Sequence, residues 1–171
     1  MRYNKIRKMD ISNGPGVRVS VFMQGCTFNC KNCFNPETHD FKGGKEFTDE
    51  TIDKIMELCS KDYVVGLSIL GGEPMHPKNI DGTTKLAKRF KEKYPNKSVW
   101  VWSGFLFDRD LKDKEVLKYV DVLIDGQYED ELHDFRLKWR GSSNQRVIDV
   151  QKSINQGEVV LLDETSKLIG V

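Results

Sequence analysis

Three of the four cysteines of this 171-residue chain lie within eight residues, at Cys26, Cys30 and Cys33. Their C-x3-C-x2-C spacing lets three thiolates bind one soft metal centre, and thiolates are the ligands that iron–sulfur clusters use. A [4Fe-4S] cluster has four iron atoms, so three cysteines leave one iron without a protein ligand. That iron can bind a small molecule, whereas a simple electron carrier normally supplies a fourth cysteine. The cysteine count therefore predicts chemistry at the cluster.

Three other readings of the cysteines remain open. A structural zinc site needs four protein ligands, and the fourth would have to be His39 or the distant Cys59. A disulfide framework is disfavoured because three clustered cysteines cannot pair evenly. Three unliganded cysteines would be unusual so close together, since free cysteines are usually scattered through a core. Cys59 falls on the apolar face of an expected helix, and we expect it to be a small core residue.

The residues before the cysteines sharpen the prediction. Two glycines one residue apart, a basic residue and a phenylalanine precede Gly-Cys-x3-Cys-x2-Cys. This pattern resembles the signature of the radical-activating branch of the radical S-adenosylmethionine (SAM) enzymes. Every fixed position of the signature is met, by Gly14, Gly16, Arg18, Phe22, Gly25, Cys26, Cys30 and Cys33.

One position departs from the family pattern. Many radical SAM proteins have an aromatic residue just before the last cysteine, where this chain has Asn32. We therefore expect the adenine of SAM to contact the Asn32 amide, the Cys33 backbone or Phe34.

A second motif, Gly71-Gly72-Glu73-Pro74, directly follows an expected strand. Glycines let a ligand approach the backbone closely, and carbonyl oxygens or the Glu73 side chain can accept hydrogen bonds from an ammonium group. An ordinary turn at a strand end is the alternative. The resemblance places here the segment that holds the methionyl amine of SAM, and it therefore implies SAM contacts at Gly71, Gly72 and Glu73.

Polar residues also end the next two expected strands, at Ser103 and Asp125. Both are candidates for the same pocket, although Asp125 could equally serve a turn. Residues 142–146 carry five hydrogen-bonding side chains in a row, and we expect Asn144 and Arg146 to contact SAM or a docked partner. A solvated connection is the plain alternative for this loop.

Residues 141–149, Gly-Ser-Ser-Asn-Gln-Arg-Val-Ile-Asp, resemble the hallmark of one subgroup, the activating components of anaerobic ribonucleoside-triphosphate reductase. The strand endings at 102–104 and 123–128 are similar to that subgroup as well. The resemblance covers about residues 10–150 and leaves out the tail after Gln151.

The resemblance implies a reaction, its cofactors and its partners. One [4Fe-4S] cluster binds SAM, and a flavodoxin- or ferredoxin-like donor reduces the cluster. SAM is then cleaved to a 5′-deoxyadenosyl radical, which takes a hydrogen atom from a glycine on the large subunit of anaerobic ribonucleoside-triphosphate reductase. The cofactors carry this chemistry, so no catalytic residue is expected beyond the three cluster cysteines.

Two alternative functions stay open. The chain could activate another glycyl-radical enzyme such as pyruvate formate-lyase, although its small size and the lack of a further cysteine-rich insertion argue against this. It could also be a ferredoxin-like electron-transfer protein that never cleaves SAM. The glycine-rich turn and the open iron site argue against that reading.

The amino-acid composition bears on the cellular location and on the classes of binding partner. The chain has 27 Lys and Arg against 26 Asp and Glu, a formal net charge of +1. This balance favours neither nucleic acid nor an anionic membrane surface, and we expect neither as a partner. There is no stretch of roughly 20 apolar residues and no signal-peptide core. Reduced cysteines and an oxygen-sensitive cluster then predict an anaerobic cytoplasm, and the length predicts one domain spanning 1–171.

Strands and helices alternate along the chain, which predicts βαβ units and a largely parallel sheet. After an edge strand within 1–12, strands are expected at 17–23, 64–70, 98–102, 121–126 and 147–150. Helices are expected at 48–59, 79–94, 114–120 and 129–138, and a further strand at 158–162. Five or six strands cannot close an eight-stranded barrel of about 250 residues. We therefore expect an α/β fold, an incomplete parallel β/α barrel of the radical SAM type, open on one side to admit a protein segment.

Overall fold

The computed structural model, which describes residues 1–169, contains one seven-stranded sheet and three α-helices. The strands are β1 (Arg2–Asp10), β2 (Val17–Gln24), β3 (Lys45–Glu46), β4 (Val64–Gly71), β5 (Ser98–Ser103), β6 (Val122–Asp125) and β7 (Arg146–Asp149). The helices are α1 (Asp49–Cys59), α2 (Ile80–Lys93) and α3 (Val150–Gln156).

The sheet is mixed and open. Its strand order is β3-β1-β2-β4-β5-β6-β7. The four central strands β2, β4, β5 and β6 are parallel, whereas β1, β3 and β7 pair antiparallel to their neighbours. The α/β class and the open sheet are confirmed, but the expectation of a largely parallel sheet holds only for the centre.

Helices α1 and α2 cover one face of the sheet. Alternate residues of β2 point to this face, and they pack with the apolar sides of both helices into the main core. Helix α1 begins with a capping box, in which Thr48 Oγ1 accepts from the Thr51 N–H at 3.3 Å and the Thr51 hydroxyl accepts from the Thr48 N–H. Cys59, at the end of α1, is 0% exposed and lies in this core, as its helical spacing predicts.

The opposite face of the sheet is covered in part by the C-terminal tail. After α3 the chain returns beside β7, where the Leu162 N–H donates to the Val147 carbonyl at 2.9 Å. The strand expected at 158–162 is reduced to one isolated bridge between Leu161 and Ile148. Leu162 and Leu168 pack against the buried cluster of Trp100, Val122 and Ile124, so the tail closes part of this face.

Arg18 lies wholly buried at the start of β2, and its five N–H groups all have acceptors. The guanidinium donates to the hydroxyls of Ser68 and Ser98 at 2.8 and 3.1 Å, and to the carbonyls of Leu67, Ser98 and Pro15. Burial lowers the pKa of Arg18 to about 9. The basic residue of the signature thus fastens the turn at 14–16 to β4 and β5. It lies at the end of β2 away from the cysteines, so its role here is structural.

The prediction of a helix at 129–138 is wrong. Only Asp130–Leu132 forms a turn of 3-10 helix, and residues 132–143 then fold back on themselves as a hairpin. In this 132–143 hairpin the Ser143 N–H donates to the Leu132 carbonyl at 3.0 Å, and the Asp134 N–H donates to Gly141 at 3.3 Å. The Asp134 carboxylate also accepts from the Arg136 N–H, a local bond that competes with helix formation.

Two short helices also differ from the sequence prediction. The helix expected at 114–120 is a 3-10 helix over Glu115–Tyr119, and one turn of π-helix at Phe107–Leu111 precedes it. Within residues 1–169, none of the helices has the length and apolar character needed to cross a membrane.

Candidate active site

The three clustered cysteines line one cavity of about 790 Å³. Phe22, Leu70 and Trp102 also line it, and these residues belong to the face of the sheet opposite α1 and α2. The carboxyl ends of neighbouring parallel strands lie at the same edge of a sheet, so the segments that follow β2, β4, β5 and β6 meet there. The cavity accordingly collects Cys26, Cys30, Cys33, Gly71, Gly72, Glu73, Ser103, Gly104 and Gly126.

The cysteine loop, residues 25–35, is closed at its base by backbone hydrogen bonds. The Gly25 N–H donates to the Thr38 carbonyl at 2.7 Å, and the Cys26 N–H donates to the His39 carbonyl at 3.1 Å. Gly25 has a φ of +109°, a conformation that glycine adopts readily. This turn is what swings the chain out of β2 and into the loop.

Inside the loop, two asparagines allow the tight path between the cysteines. Asn29 and Asn32 have φ values of 51° and 55°, in the left-handed region that asparagine tolerates best among residues with a side chain. The Cys33 N–H donates to the Cys30 carbonyl at 3.2 Å. All three cysteines are partly exposed, so their sulfur atoms remain accessible to a bound group.

The donor set fits an iron–sulfur cluster. Burial raises the pKa of the Cys26 thiol to about 11, and burial also raises the pKa of Cys33, so iron must displace protons when it binds. In the described part of the chain, no three His, Cys, Asp or Glu side chains converge closely enough to bind a single metal ion. A [4Fe-4S] cluster does not require this convergence, since each thiolate binds a different iron. Cys59 lies in the core on the other face of the sheet, away from this cavity.

Backbone contacts join the glycine turn to the cysteine loop. The Gly72 N–H donates to Met23 O at 2.9 Å, and the Glu73 N–H donates to Gly25 O at 2.8 Å. A Cβ atom at Gly72 would lie 2.6 Å from Gly25 O and 2.8 Å from Thr38 O. The glycine is therefore required by the close approach of two protein segments, whereas the sequence suggested that a ligand required it.

The Glu73 side chain is tied to the loop after β5. It is 2% exposed, and Oε1 accepts from the Ser103 hydroxyl at 2.7 Å and from the Met75 N–H at 2.9 Å. Oε2 accepts from the Gly104 N–H at 2.7 Å. Burial raises the pKa of Glu73 to about 7 in spite of these hydrogen bonds. The side chain thus serves to join two loops. Gly72 lines the cavity, and within residues 1–169 no backbone N–H group donates to its carbonyl oxygen.

Asn79 is a residue of the site that the sequence did not single out. It is 1% exposed, and its Nδ2 donates to the carbonyls of Gln24, Gly25 and Glu73 at 3.2, 3.4 and 3.0 Å. An asparagine just before a helix normally suggests a cap, but this side chain makes no capping hydrogen bond. Instead it bridges the end of β2 and the glycine turn.

Of the nine predicted SAM contacts, six line the cavity, whereas Asn32, Asp125 and Asn144 do not. Phe34 and Ser103 are part of its wall. The exposed Asn32 side chain instead donates to Asp130 Oδ2 at 2.8 Å and is not part of the lining.

The two predicted residues near the antiparallel edge, Asp125 and Asn144, also lie outside the cavity lining. Asp125 is 0% exposed and pairs with Arg146 at 2.6 Å, while Arg146 also pairs with Asp108 at 2.7 Å. The hydrogen bond to Asp125 raises the pKa of Arg146 above its usual value. Asn144 Nδ2 donates to the Gln127 carbonyl at 2.7 Å. These contacts hold the loop at 142–146 against the end of β6.

Comparison with known proteins agrees with this geometry. A family model described as a 4Fe-4S single cluster domain matches residues 12–148, which include the cysteine loop and the glycine turn. The anaerobic ribonucleoside-triphosphate reductase-activating protein of Enterobacteria phage T4 is 42% identical over 147 residues, covering 86% of this chain and 93% of the relative.

Two bacterial relatives carry the same name. The protein of Vibrio cholerae serotype O1 is 39% identical over 148 residues, covering 85% of this chain and 96% of the relative. The protein of Escherichia coli strain K12 is 37% identical over 150 residues, covering 86% of this chain and 97% of the relative. The chain therefore belongs to the family of anaerobic ribonucleoside-triphosphate reductase-activating proteins, with a 4Fe-4S single cluster domain at residues 12–148.

Proposed function

We propose that this chain is a radical SAM enzyme that generates the glycyl radical on anaerobic ribonucleoside-triphosphate reductase. In this proposal Cys26, Cys30 and Cys33 hold one [4Fe-4S] cluster, and SAM binds beside it. The observation that carries the proposal is that the three cysteines and the glycine turn line one cavity of about 790 Å³. A pocket of this size is within the range of about 300–1,000 Å³ that small-molecule sites occupy, and a simple electron carrier needs no such space.

The bound cofactors would supply an electron and an open iron site, the chemistry that reductive cleavage of a sulfonium requires. The residues of the chain position the reactants. In this proposal the Gly72 carbonyl accepts a hydrogen bond from the methionyl ammonium of SAM, and the Phe34 ring contacts its adenine. Phe22, Leu70 and Trp102 give the cavity an apolar floor, which excludes water from a reactive radical.

Further residues of the chain support the site in this proposal. Ser103 supports the site through Glu73, and Asn32, Asp125 and Asn144 support it by holding loops at its edge. A flavodoxin- or ferredoxin-like protein is the electron donor. The open sheet is the partial β/α barrel of the radical SAM type, and the chain forms one domain. The enzyme acts in an anaerobic cytoplasm because its thiols and cluster must stay reduced.

An anaerobic incubation with SAM and dithionite tests the proposal. We expect the iron-loaded protein to release 5′-deoxyadenosine and methionine, and to produce a glycyl radical signal by EPR when the reductase is added. The Cys59→Ala variant is the matched control, since it removes a thiol from the core and leaves the cavity intact. Failure of a folded, iron-loaded protein to form 5′-deoxyadenosine would favour the electron-transfer alternative.

A further inference from the structure

Four aromatic side chains form a continuous strip from the cysteine loop to the tip of the 132–143 hairpin. The rings of Phe34 and Tyr128 lie 4.9 Å apart, and the ring of His133 lies about 6 Å from both, at 6.0 and 6.1 Å. Phe135 continues the row, with its ring 4.3 Å from His133. All four residues line the same cavity as the cysteines. We call this row the aromatic strip.

Both ends of the aromatic strip are exposed. Phe135 at the outer end is 91% exposed, and Phe34 at the cysteine loop is 61% exposed. Single exposed apolar side chains are ordinary, but a row of them that opens into a cavity is typical of a binding surface.

The hairpin that carries Phe135 is held in place at its base. The Glu129 N–H donates to the Ser142 hydroxyl at 3.1 Å, and His133 bridges to Ser142. Arg140 donates to the carbonyls of Ser143 and Gln145. These contacts fix the direction of the hairpin, so Phe135 is presented to solvent by a structured element.

The hairpin tip is also basic. Residues 134–140 contain Arg136, Lys138 and Arg140 against a single acidic residue, Asp134. Asp134 pairs with Arg136 at 2.9 Å, and Glu129, Asp130 and Glu131 make the hairpin base acidic, so the positive charge is confined to the tip, at Lys138 and Arg140. A partner that fits this surface therefore presents an apolar side chain together with carboxylates.

We propose that the aromatic strip is the docking surface for the glycine-bearing segment of the reductase. An apolar residue of that segment packs on Phe135, and a neighbouring carboxylate faces Lys138. This inference rests on the proposed function, since it names the surface through which that partner reaches the site.

The continuity of the strip with the cavity decides between two partners. A hydrogen-donating glycine must bring its α-carbon into the cavity, so its segment has to cross the cavity mouth. An electron donor only has to approach the cluster, and it can do so from the outer side of the cysteine loop. A surface that leads from solvent into the cavity therefore fits the glycine-bearing segment.

The test compares Phe135→Ala with Tyr63→Ala. Tyr63 is 53% exposed and precedes β4, at the opposite end of the sheet from the cysteine loop. The affinity of each iron-loaded protein for the reductase is measured anaerobically, without reductant. We expect Phe135→Ala to bind the reductase about tenfold or more weakly, as for an aromatic residue at the centre of an interface, and Tyr63→Ala to bind like the wild type.

A second variant and a second assay keep the inference separate from the proposed function. Lys138→Glu should also weaken reductase binding and reduce its dependence on salt. Dithionite-driven release of 5′-deoxyadenosine, measured without reductase, should be unchanged in Lys138→Glu, because Lys138 is not part of the cavity lining. Failure of this release in the wild type would count against the proposed function, whereas the binding measurement does not depend on it.

Three results would overturn the inference. The first is wild-type affinity for the reductase in both variants, and the second is the absence of any binding by the wild-type protein. The third is a selective loss of SAM cleavage driven by a reduced flavodoxin, with dithionite-driven cleavage and reductase binding intact. That third result would assign the strip to the electron donor.

Discussion

At the edge of the cavity, the buried Glu73 carboxylate accepts hydrogen bonds from Met75, Ser103 and Gly104. Burial raises its pKa from 4.5 to about 7. Between these pH values the folded protein holds a proton that the unfolded chain has released. The free energy of unfolding contributed by Glu73 is therefore highest below about pH 4.5 and falls as the pH rises towards about 7.

The Glu73→Gln variant should reveal this dependence in the metal-free protein. As the pH rises from 4.5 to 7, we expect the free energy of unfolding of the wild type to fall relative to that of the variant, by up to about 3 kcal/mol. Urea denaturation at a series of pH values measures it. The exposed Glu92 provides the control, Glu92→Gln. Parallel stability curves for wild type and Glu73→Gln would contradict the raised pKa.

Replacing each of the four cysteines by Ala should affect iron binding in two different ways. Cys26, Cys30 and Cys33 lie on the cavity wall, and each replacement should abolish stable iron binding after anaerobic reconstitution. Cys59→Ala should retain full iron content and lose about 1 kcal/mol of stability, because a small buried group is removed from the core. Iron loss in Cys59→Ala equal to that of the other three, or zinc as the bound metal, would contradict the assignment.

At the scale of elements, the site depends on how the cysteine loop and the glycine turn are joined. The two segments approach so closely that a side chain at Gly72 would meet backbone oxygen atoms of Gly25 and Thr38. A Gly72→Val substitution would therefore disturb folding as well as any ligand contact. Asn79 bridges the same two segments with one side-chain amide, and it is the better position for testing the junction.

The Asn79→Ala variant should loosen this junction. We expect it to lower the free energy of unfolding by about 1–3 kcal/mol, because buried carbonyl groups lose a donor. SAM binding should weaken as the Gly72 carbonyl is released from its position, while iron content stays near that of the wild type. Isothermal titration with SAM and an iron assay measure the two effects. Asn96→Ala, in an exposed turn, is the control. Wild-type affinity for SAM would show that Asn79 does not position the turn.

At the scale of the whole molecule, the sheet and the metal site are built from different residues. The main apolar cluster draws on the strands and the helices, and the second draws on the strands, the hairpin and the tail. Neither includes any of the described residues 26–35. The loop is attached through its two ends, through the glycine turn, and through the contacts of Asn32 with Asp130 and of Phe34 with Tyr128. Metal binding is therefore expected to order the loop, while the sheet holds its own structure.

Removing the cluster should affect the cysteine loop and the sheet differently. After anaerobic chelation, we expect amide hydrogen exchange to increase at 26–35 and to stay slow in β2, β4 and β5. The far-ultraviolet circular dichroism should change little. The reconstituted protein serves as the control for the chelator. Loss of protection throughout the sheet would show that the metal is needed for the whole fold.

Much of the candidate site could be predicted from the sequence because the same local pattern follows each parallel strand. Each of β2, β4, β5 and β6 ends in a polar or glycine-containing segment, and parallel strands bring such ends to one edge. The cysteine spacing predicts a cluster loop at the end of β2, and the family resemblance assigns the motif at Gly71 to the same site. Cys59 could be placed in the core as well, since its position follows the helical period of α1.

The contacts between distant segments were decided only by the tertiary structure. Asp125 and Arg146 were predicted as ligand contacts, but their pairing depends on β7 lying antiparallel to β6, which strand alternation does not reveal. The expected helix at 129–138 gave way to the hairpin, because bonds from 132–134 to 141–143 satisfy its backbone. Asn79 and Arg18 join segments far apart in sequence through single side chains. The sequence by itself determined which residues end the strands and which could bind iron, whereas long-range hydrogen bonds determined which of the remaining polar groups hold the site together.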